Sequence, residues 1–300
     1  MSKYQFALLA GAAALTAAVL ATPALTQQPP QPAQPLFATT KVDGTDGVYI
    51  FRNGGAQSMF IVTRDGVIAT DPIGYARPEG VQDYVNEIKK VTNQPIRYLV
   101  YSHHHFDHIS GGKPFKDAGA RVVAHKRAKE RLDQLQNPLV TPVDETFDTT
   151  KTIELGGTTL ELSYIGLNHS DSNIVMRLPR EKIVFIVDTI PVGQVPGRGF
   201  IDMYPLEAED FIKKVIAMDW DRLIPGHPGV NGRLGTKQDA RDQLRLLEEA
   251  SAEMKPLGIA GKCWAAEKDL KLSNFKDWPG YQTGLEFIGR RYCGVWGRGT

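Results

Sequence analysis

The segment His103-His104-His105-Phe106-Asp107-His108 decides how this chain is interpreted. It holds four of the seven histidines in 300 residues, together with a carboxylate. The segment follows a β-branched and aromatic run, residues 96–101, that predicts a strand, and it precedes Ile109-Ser110-Gly111-Gly112. Imidazole nitrogens and carboxylate oxygens are ligands that Zn²⁺ takes in proteins. The sequence therefore predicts a metal site at the end of a strand.

The spacing within this segment divides its side chains between two positions. Residues i and i+2 of an extended chain point the same way, so His103 and His105 are predicted to hold one ion. Asp107 and His108 lie where the chain turns towards a helix and are predicted to face a second ion. By the same alternation His104 points away, which favours a structural or supporting role.

Other candidate residues stand at the ends of predicted strands or in the loops after them. His169 lies in a loop, His227 ends Pro225-Gly226-His227, Asp188 ends the apolar run 183–187, and Asp71 ends an early strand. Functional side chains at the ends of several strands are typical of a site carried by a rigid sheet. His125 also ends a predicted strand, but it has no partner pattern, and we interpret it as structural.

The order of elements predicts the fold class. Hairpins and helices follow one another in two similar successions, which suits an α/β sandwich with two sheets inside and helices outside.

The candidate residues also occur in a recognisable order: His103-x-His105-x-Asp107-His108, then His169, Asp188 and Pro225-Gly226-His227. In these residues the chain resembles the metallo-β-lactamase superfamily, and the resemblance covers residues 48–231. This resemblance implies an αββα sandwich of two mixed β-sheets flanked by helices, with metals at one edge between the sheets.

The resemblance also implies the roles of individual residues. It implies two Zn²⁺ per chain, one on His103, His105 and His169, and the other on Asp107, His108 and His227. Asp188 matches the bridging carboxylate of the glyoxalase II-like and lactonase-like branches. Asp71 resembles an acid that supports a ligand histidine from behind.

These roles lead to a hypothesis about function. A di-zinc hydrolase would use a metal-bridging hydroxide to attack the carbonyl of a small-molecule ester, lactone, thioester or β-lactam. Asp188 and Asp107 would be its catalytic carboxylates, and either Asp107 or a metal-bound water would deliver a proton. One alternative is a mononuclear iron sulfur dioxygenase of the same superfamily, which would not need a complete second ligand set. The other is a metal-binding protein without activity.

The N-terminal sequence predicts export, and the two cysteines near the C-terminus favour a disulfide bond. A charged start, an apolar run over residues 6–21 and small residues predict a signal peptide over 1–26, and hence a periplasmic or secreted protein. A disordered Gln/Pro linker is predicted over 27–43, the main domain over 44–255, and a C-terminal extension packed on it over 256–300. In an oxidising compartment the two cysteines, Cys263 and Cys293, favour one disulfide.

The net charge of the chain and three of its segments give expectations about binding partners and substrate specificity. A formal net charge of +1 gives no reason to expect a nucleic-acid partner, and no membrane partner is expected once the signal is removed. Residues 56–58, 191–204 and the tail are the candidate specificity segments. Gly193, Gly197 and Gly199 predict a mobile loop beside Asp188.

Overall fold

The computed structural model describes residues 36–266 and 270–300. The predicted signal peptide and residues 27–35 of the predicted linker lie outside the described residues. The rest of that linker prediction was wrong, because strand β1 (Phe37–Lys41) pairs with β2 (Val48–Asn53). Its Phe37 ring lies 6.0 Å from the Phe51 ring. Pairing with an existing sheet edge orders a short segment that composition alone does not mark as structured.

The first sheet contains seven strands in chain order. After β1 and β2 come β3 (Ala56–Val62), β4 (Val67–Thr70), β5 (Ile96–Val100), β6 (Arg121–His125) and β7 (Glu145–Phe147). Strands β1 to β4 pair antiparallel, and β4 to β7 pair parallel. Parallel neighbours need long crossover connections, which the helices supply here.

The second sheet has five strands in the order β12-β11-β10-β9-β8. They are β8 (Thr150–Leu155), β9 (Thr158–Ser163), β10 (Val175–Leu178), β11 (Ile183–Ile186) and β12 (Arg222–Pro225). Only the β11–β12 pair is parallel. The β8–β9 hairpin turns at Gly156 and Gly157, whose positive φ angles of 53° and 84° suit the tight turn predicted there.

Helices cover the outer faces of both sheets. The first sheet carries α1 (Gly80–Val91), α2 (Phe106–Ile109), α3 (Lys113–Asp117) and α4 (Lys126–Leu135). The second carries α5 (Pro205–Ala217), α6 (Lys237–Ile259), α7 (Cys263–Ala266) and α8 (Tyr281–Arg298). One apolar cluster fills the space between the sheets, and two others lie beneath the helices. The predicted αββα sandwich of two mixed sheets is confirmed.

The C-terminal segment is continuous with the second helical layer. Helix α6 runs through the predicted boundary at residue 255 and ends at Ile259, so that boundary was placed inside a helix. Phe275, Ile288 and Tyr292 are buried in the cluster beneath these helices, and Tyr292 donates a hydrogen bond to the Leu247 carbonyl at 2.8 Å. Within the described ranges, no helix has the length and apolar composition required to cross a membrane.

The direction of the strands determines where the site forms. Strands β4 and β5 are parallel neighbours, as are β11 and β12. The carboxyl ends of each parallel pair therefore lie at the same edge of their sheet. In α/β folds, the loops that leave such an edge commonly carry the binding site. Asp71 follows β4, Asp188 follows β11 and His227 follows β12.

A disulfide joins α7 to α8 through Cys263 and Cys293, as predicted. We expect the double variant Cys263→Ser/Cys293→Ser to lose about 2–4 kcal/mol of unfolding free energy, because the bond restricts the unfolded chain. Urea denaturation measures this loss. Adding reductant to the unmodified protein should reproduce it, whereas reductant should have no effect on the double variant. Equal stability of both proteins would contradict the expectation.

Candidate metal centre

The structure brings all seven predicted ligand residues together in two groups. The first group is His103, His105 and His169, and the second is Asp107, His108, Asp188 and His227. In each group, one ligand atom from every residue lies within 4.8 Å of those from the others. Each group could hold a metal ion, and together they reproduce the predicted division of ligands.

Asp188 lies between the two groups. Its Oδ2 atom is 3.0 Å from Nε2 of His108, 3.5 Å from Nε2 of His169 and 3.9 Å from Nε2 of His103. Its Oδ1 atom is 3.2 Å from Nε2 of His227. One carboxylate therefore faces histidines of both groups, which is the arrangement expected of a bridging ligand.

The backbone of Asp188 is held in the left-handed region, with φ of 60°. Non-glycine residues reach this region rarely, and they persist there when the surrounding structure determines the conformation. Strand β11 ends at Ile186, so the left-handed residue turns the chain just beyond the sheet. This turn places the carboxylate among the histidines.

His103 and His105 meet by a route that differs from the predicted one. Strand β5 ends at Val100, and both histidines lie in the loop after it, with His105 capping α2. Strand alternation was therefore the wrong reason for the correct pairing. Their ring centroids lie 4.5 Å apart, and Nδ1 of His105 is 3.0 Å from Nε2 of His169.

The buried polar atoms of the two groups fit a metal ion. Within the described residues, His103 Nε2, His108 Nε2 and Asp188 Oδ1 are buried and make no hydrogen bond of acceptable geometry, although His108 and Asp188 face each other, and Asp188 also faces His227, as charged groups. Leaving such atoms unsatisfied is costly, so native structures seldom do it. Divalent ions bound by these nitrogen and oxygen atoms would satisfy all three.

Asp71 supports the histidine segment through Ser102. Its Oδ1 atom accepts a hydrogen bond from the Ser102 backbone N–H at 2.8 Å, and Ser102 Oγ lies 2.9 Å from Nδ1 of His103. This contact leaves Nε2 of His103 facing the centre. Burial raises the pKa of Asp71 to about 6. The supporting acid therefore acts on the backbone that carries His103.

Electrostatics divide the histidines into two kinds. Burial, reinforced by neighbouring His105 and His108, holds the pKa of His103 well below its ordinary value. Burial likewise lowers the pKa of His169 to about 4. These imidazoles are therefore neutral at pH 7, which is the form that binds a metal.

The second group is organised around opposite charges. Burial opposes the charged form of His108, but Asp188, Asp107 and Asp71 overcome it and raise its pKa to about 9. Burial also opposes ionisation of Asp188, yet His108 and His227 hold its pKa well below the usual range. The Asp188 carboxylate is therefore ionised inside the protein. Bound cations would replace the protons of His108 and His227 as the positive charges beside it.

Sequence reasoning missed a buried amide that holds two of these residues. Oδ1 of Asn168 accepts hydrogen bonds from the His169 backbone N–H at 2.6 Å, from Asn173 Nδ2 at 2.9 Å and from Thr189 Oγ1 at 2.8 Å. Thr189 follows Asp188 directly. The only signal in the sequence was the adjacency of Asn168 to His169, because amides and hydroxyls have no characteristic ligand spacing.

His227 is held by the β2–β3 hairpin. Its Nδ1 atom lies 2.7 Å from the Gly55 carbonyl oxygen, and Gln57 Nε2 donates to the Pro225 carbonyl at 2.7 Å. Residues 56–58 were predicted as a specificity loop, but they begin β3 and hold the turn at Gly226 in place. A Cβ on Gly226 would lie 2.5 Å from the Val187 side chain, so the turn requires glycine.

The other two histidines are accounted for by local contacts. Nδ1 of His104 lies 2.8 Å from Ser172 Oγ and 3.6 Å from Asp171 Oδ1, and His104 belongs to neither ligand group. His125 stacks on Tyr164 at a centroid distance of 4.2 Å and caps α4. Both contacts are supporting ones, as the sequence indicated.

A pocket of about 310 Å³ opens beside the first group. It is lined by His104, His105, Arg131, Gln134, Leu135, His169, Ser170, Asp171, Asp202 and Tyr204. Two residues of the first ligand group form part of its wall, so a molecule bound here lies against the metal centre.

Replacing the buried amide tests its role. We expect Asn168→Ala to weaken metal affinity about 10–100-fold, because supporting groups orient metal ligands. Competition with a fluorescent zinc chelator measures the affinity. Asn86→Ala, which removes an exposed amide that pairs with Gln82, should leave it unchanged. Equal affinities in the two variants would contradict the role of Asn168.

The raised pKa of His108 predicts proton release when a metal binds. With a pKa of about 9, His108 is protonated in the metal-free protein at pH 8, and it must lose that proton to act as a ligand. Zinc titration calorimetry in buffers of different ionisation enthalpy counts the protons. Release should fall when the pH is raised above the pKa of His108. A proton count that does not change with pH would contradict this protonation state.

Comparison with known proteins agrees with the fold. The family model described as the metallo-beta-lactamase superfamily matches residues 52–253. The chain is 24% identical over 200 residues to the 2,4-dinitroanisole O-demethylase subunit alpha of Nocardioides sp. (strain JS1661), covering 65% of this chain and 58% of that protein. It is 26% identical over 165 residues to a metallo-beta-lactamase type 2 of Elizabethkingia meningoseptica, covering 52% and 64%. The matches thus span less than two thirds of these relatives.

Solved structures share the architecture. A metallo-beta-lactamase from Pontibacter korlensis superposes with a TM-score of 0.63 at 22% identity, over 71% of this chain and 99% of that one. A variant of the sec-alkyl sulfatase PisA1 gives 0.66 at 15% identity, over 87% and 51%. At these identities the likeness shows the fold alone. Because the family model covers more than half of the sequence, the chain belongs to the metallo-beta-lactamase superfamily.

Proposed function

We propose that this protein is a hydrolase that holds two zinc ions and cleaves a carbonyl compound: an ester, lactone, thioester or β-lactam. The position of Asp188 between the two ligand groups carries the proposal, because a single carboxylate facing both groups suits a dinuclear centre. His103, His105 and His169 would hold one ion, and Asp107, His108 and His227 the other.

The donor set favours zinc. The two groups contain five imidazoles and two carboxylates, and nitrogen with carboxylate oxygen is a common zinc environment. When bound, a pair of such ions activates water at neutral pH and polarises a carbonyl oxygen. The protein's contribution is to fix the ligands and to keep Asp188 ionised between them.

Asp107 is the residue placed to move a proton. The Asp107 side chain is 50% exposed, whereas that of Asp188 is 9% exposed. The Oδ2 atom of Asp107 lies 3.5 Å from Nε2 of His108. A carboxylate at the open side of the centre can exchange protons with solvent. We therefore propose that Asp107 delivers a proton to the leaving group.

The pocket beside the first group would hold the substrate. Leu135 and Tyr204 offer apolar surface, while Arg131 donates from both Nε and Nη2 to Oδ2 of Asp171, at 3.1 and 2.9 Å. Both N–H groups share one carboxylate oxygen, and this charge-assisted pair orients the Arg131 side chain at the rim. A molecule that lies along this wall brings its reacting group against His105 and His169.

The proposal extends to location. The disulfide between Cys263 and Cys293 supports export, because such bonds persist in oxidising compartments. A signal peptide over residues 1–26 and a periplasmic or secreted location therefore remain part of the proposal. Expression with and without residues 1–26, followed by cell fractionation, tests it, and an unprocessed cytoplasmic protein would contradict it.

Metal analysis combined with Asp188→Asn tests the proposed centre. We expect two zinc ions per chain in the purified protein and about one or none in the variant, with turnover reduced about 100-fold or more because the shared ligand is weakened. Elemental analysis counts the ions, and a panel of esters, lactones, thioesters, β-lactams and nitroaryl ethers measures turnover. Asp133→Asn, at an exposed residue paired with Lys129, is the matched control.

Each other result points to a different function. One iron per chain with oxygen consumption on persulfides would support the sulfur dioxygenase alternative. Two zinc ions without turnover of any compound in the panel would support a metal-binding protein without activity. Full zinc content and full turnover in Asp188→Asn would remove the bridging role of this residue.

A further inference from the structure

The segment 191–204 forms one wall of the substrate pocket. It follows Asp188 along the chain, and it ends in a short 3-10 helix, Arg198–Asp202, before Tyr204. Asp202 and Tyr204 line the pocket together with the ligand residues His105 and His169. The placement of these two side chains therefore sets the shape and polarity of the site next to the first ligand group.

The C-terminal tail lies directly against this segment. The Val195 backbone N–H donates to the Pro279 carbonyl at 2.9 Å. A Cβ on Gly280 would lie 2.8 Å from the Val195 oxygen, and one on Gly284 would lie 2.5 Å from the Pro196 oxygen. Both glycines allow a backbone-to-backbone approach that no larger residue permits. The glycine-rich loop is thus held at its middle by the start of α8.

Arg291 holds the other end of the segment. Its Nε atom donates a hydrogen bond to the Met203 carbonyl, which lies between the two residues of the pocket wall. Its guanidinium carbon lies 6.0 Å from the centre of the Tyr204 ring, within the range of a cation–π contact. Nη1 donates to the Thr300 carbonyl at 2.7 Å, which fixes the side chain from behind.

The charge of Arg291 also acts on Asp202. Burial raises the pKa of this carboxyl, and the nearby Asp107 and Asp188 raise it further, whereas His105 and Arg291 oppose the shift. Arg291 therefore makes a contribution, smaller than that of His105, to stabilising the ionised form of Asp202 against the effect of burial. The same guanidinium thus influences both the position and the charge of the pocket wall.

The helix that carries Arg291 is itself anchored. Cys293 is bonded to Cys263, and Tyr292 donates to the Leu247 carbonyl at 2.8 Å, so the residues after Arg291 are tied to α7 and α6. The family model ends at residue 253. The tail residues of these contacts therefore lie beyond the residues that the family model matches, whereas the segment 191–204 lies within them.

We propose that Arg291 is a positioning residue that holds Asp202 and Tyr204 as a wall of the substrate pocket, and that helix α8 is thereby part of the substrate site. The kinetic consequence rests on the proposed hydrolase function. Losing the contact should weaken substrate binding without disturbing the metal ligands, since Arg291 is not in either ligand group.

The test compares Arg291→Ala, Arg291→Lys and the control Arg290→Ala in the metal-loaded, disulfide-bonded protein. Arg290 neighbours Arg291 on the same helix and pairs with Glu286. For Arg291→Ala we expect KM to rise about tenfold, as for a lost charged hydrogen bond, while kcat and metal content change less than about twofold. The KM of Arg291→Lys should lie between those of the parent and Arg291→Ala, because lysine keeps the positive charge but lacks the planar guanidinium group. Added guanidinium ion should lower KM in Arg291→Ala only.

Hydrogen exchange separates this proposal from the proposed function, because it needs no substrate. Peptides covering 198–204 should exchange faster in Arg291→Ala than in the parent and in Arg290→Ala, while peptides of β5 and β11 stay unchanged. If no compound is turned over by the parent protein, the hydrolase proposal fails and exchange alone decides the role of Arg291. Unchanged exchange at 198–204 would overturn that role, as would metal loss or faster exchange spread throughout the sandwich.

Discussion

The rest of the centre depends on the interaction between the buried, ionised carboxylate of Asp188 and the histidines around it. A buried negative charge is tolerated only with compensating partners. Here His108 and His227 compensate it in the metal-free protein, and bound cations would replace their protons. The left-handed backbone at this residue shows that the surrounding structure imposes the position. The supports through Asn168 and Thr189 then serve to hold the carboxylate where both ligand groups meet.

The sandwich supplies the rigidity that such a charge requires. Two sheets packed on a shared apolar core leave their strand ends fixed relative to one another, and loops from both sheets converge at one edge. Gly55 lies in the turn of the β2–β3 hairpin of the first sheet, while His227 follows a strand of the second. A hydrogen bond between them therefore ties one sheet to a ligand that the other carries. Precision at the centre thus comes from the packing of the sheets.

The tail, which lies beyond the residues that the family model matches, reaches the pocket indirectly. Helix α8 contributes no ligand, yet it reaches the pocket through the segment 191–204, which it contacts at Gly284 and Arg291. Glycine allows the backbones to approach closely, and arginine spans the remaining distance with a directed hydrogen bond. The disulfide at Cys293 keeps the helix on the domain. The wall of this pocket therefore depends on residues that lie far from the candidate ligand residues in sequence.

The sequence by itself determined the family, the layered fold and the residues of the two candidate ligand groups, because histidine spacing and strand periodicity are local patterns that chemistry constrains tightly. It also indicated the disulfide between Cys263 and Cys293. Only the tertiary structure decided that β1 begins at Phe37, that a loop rather than a strand pairs His103 with His105, and that Asn168 supports the centre. Edge pairing, loop geometry and buried amide networks depend on residues far apart in the chain, so no local pattern records them.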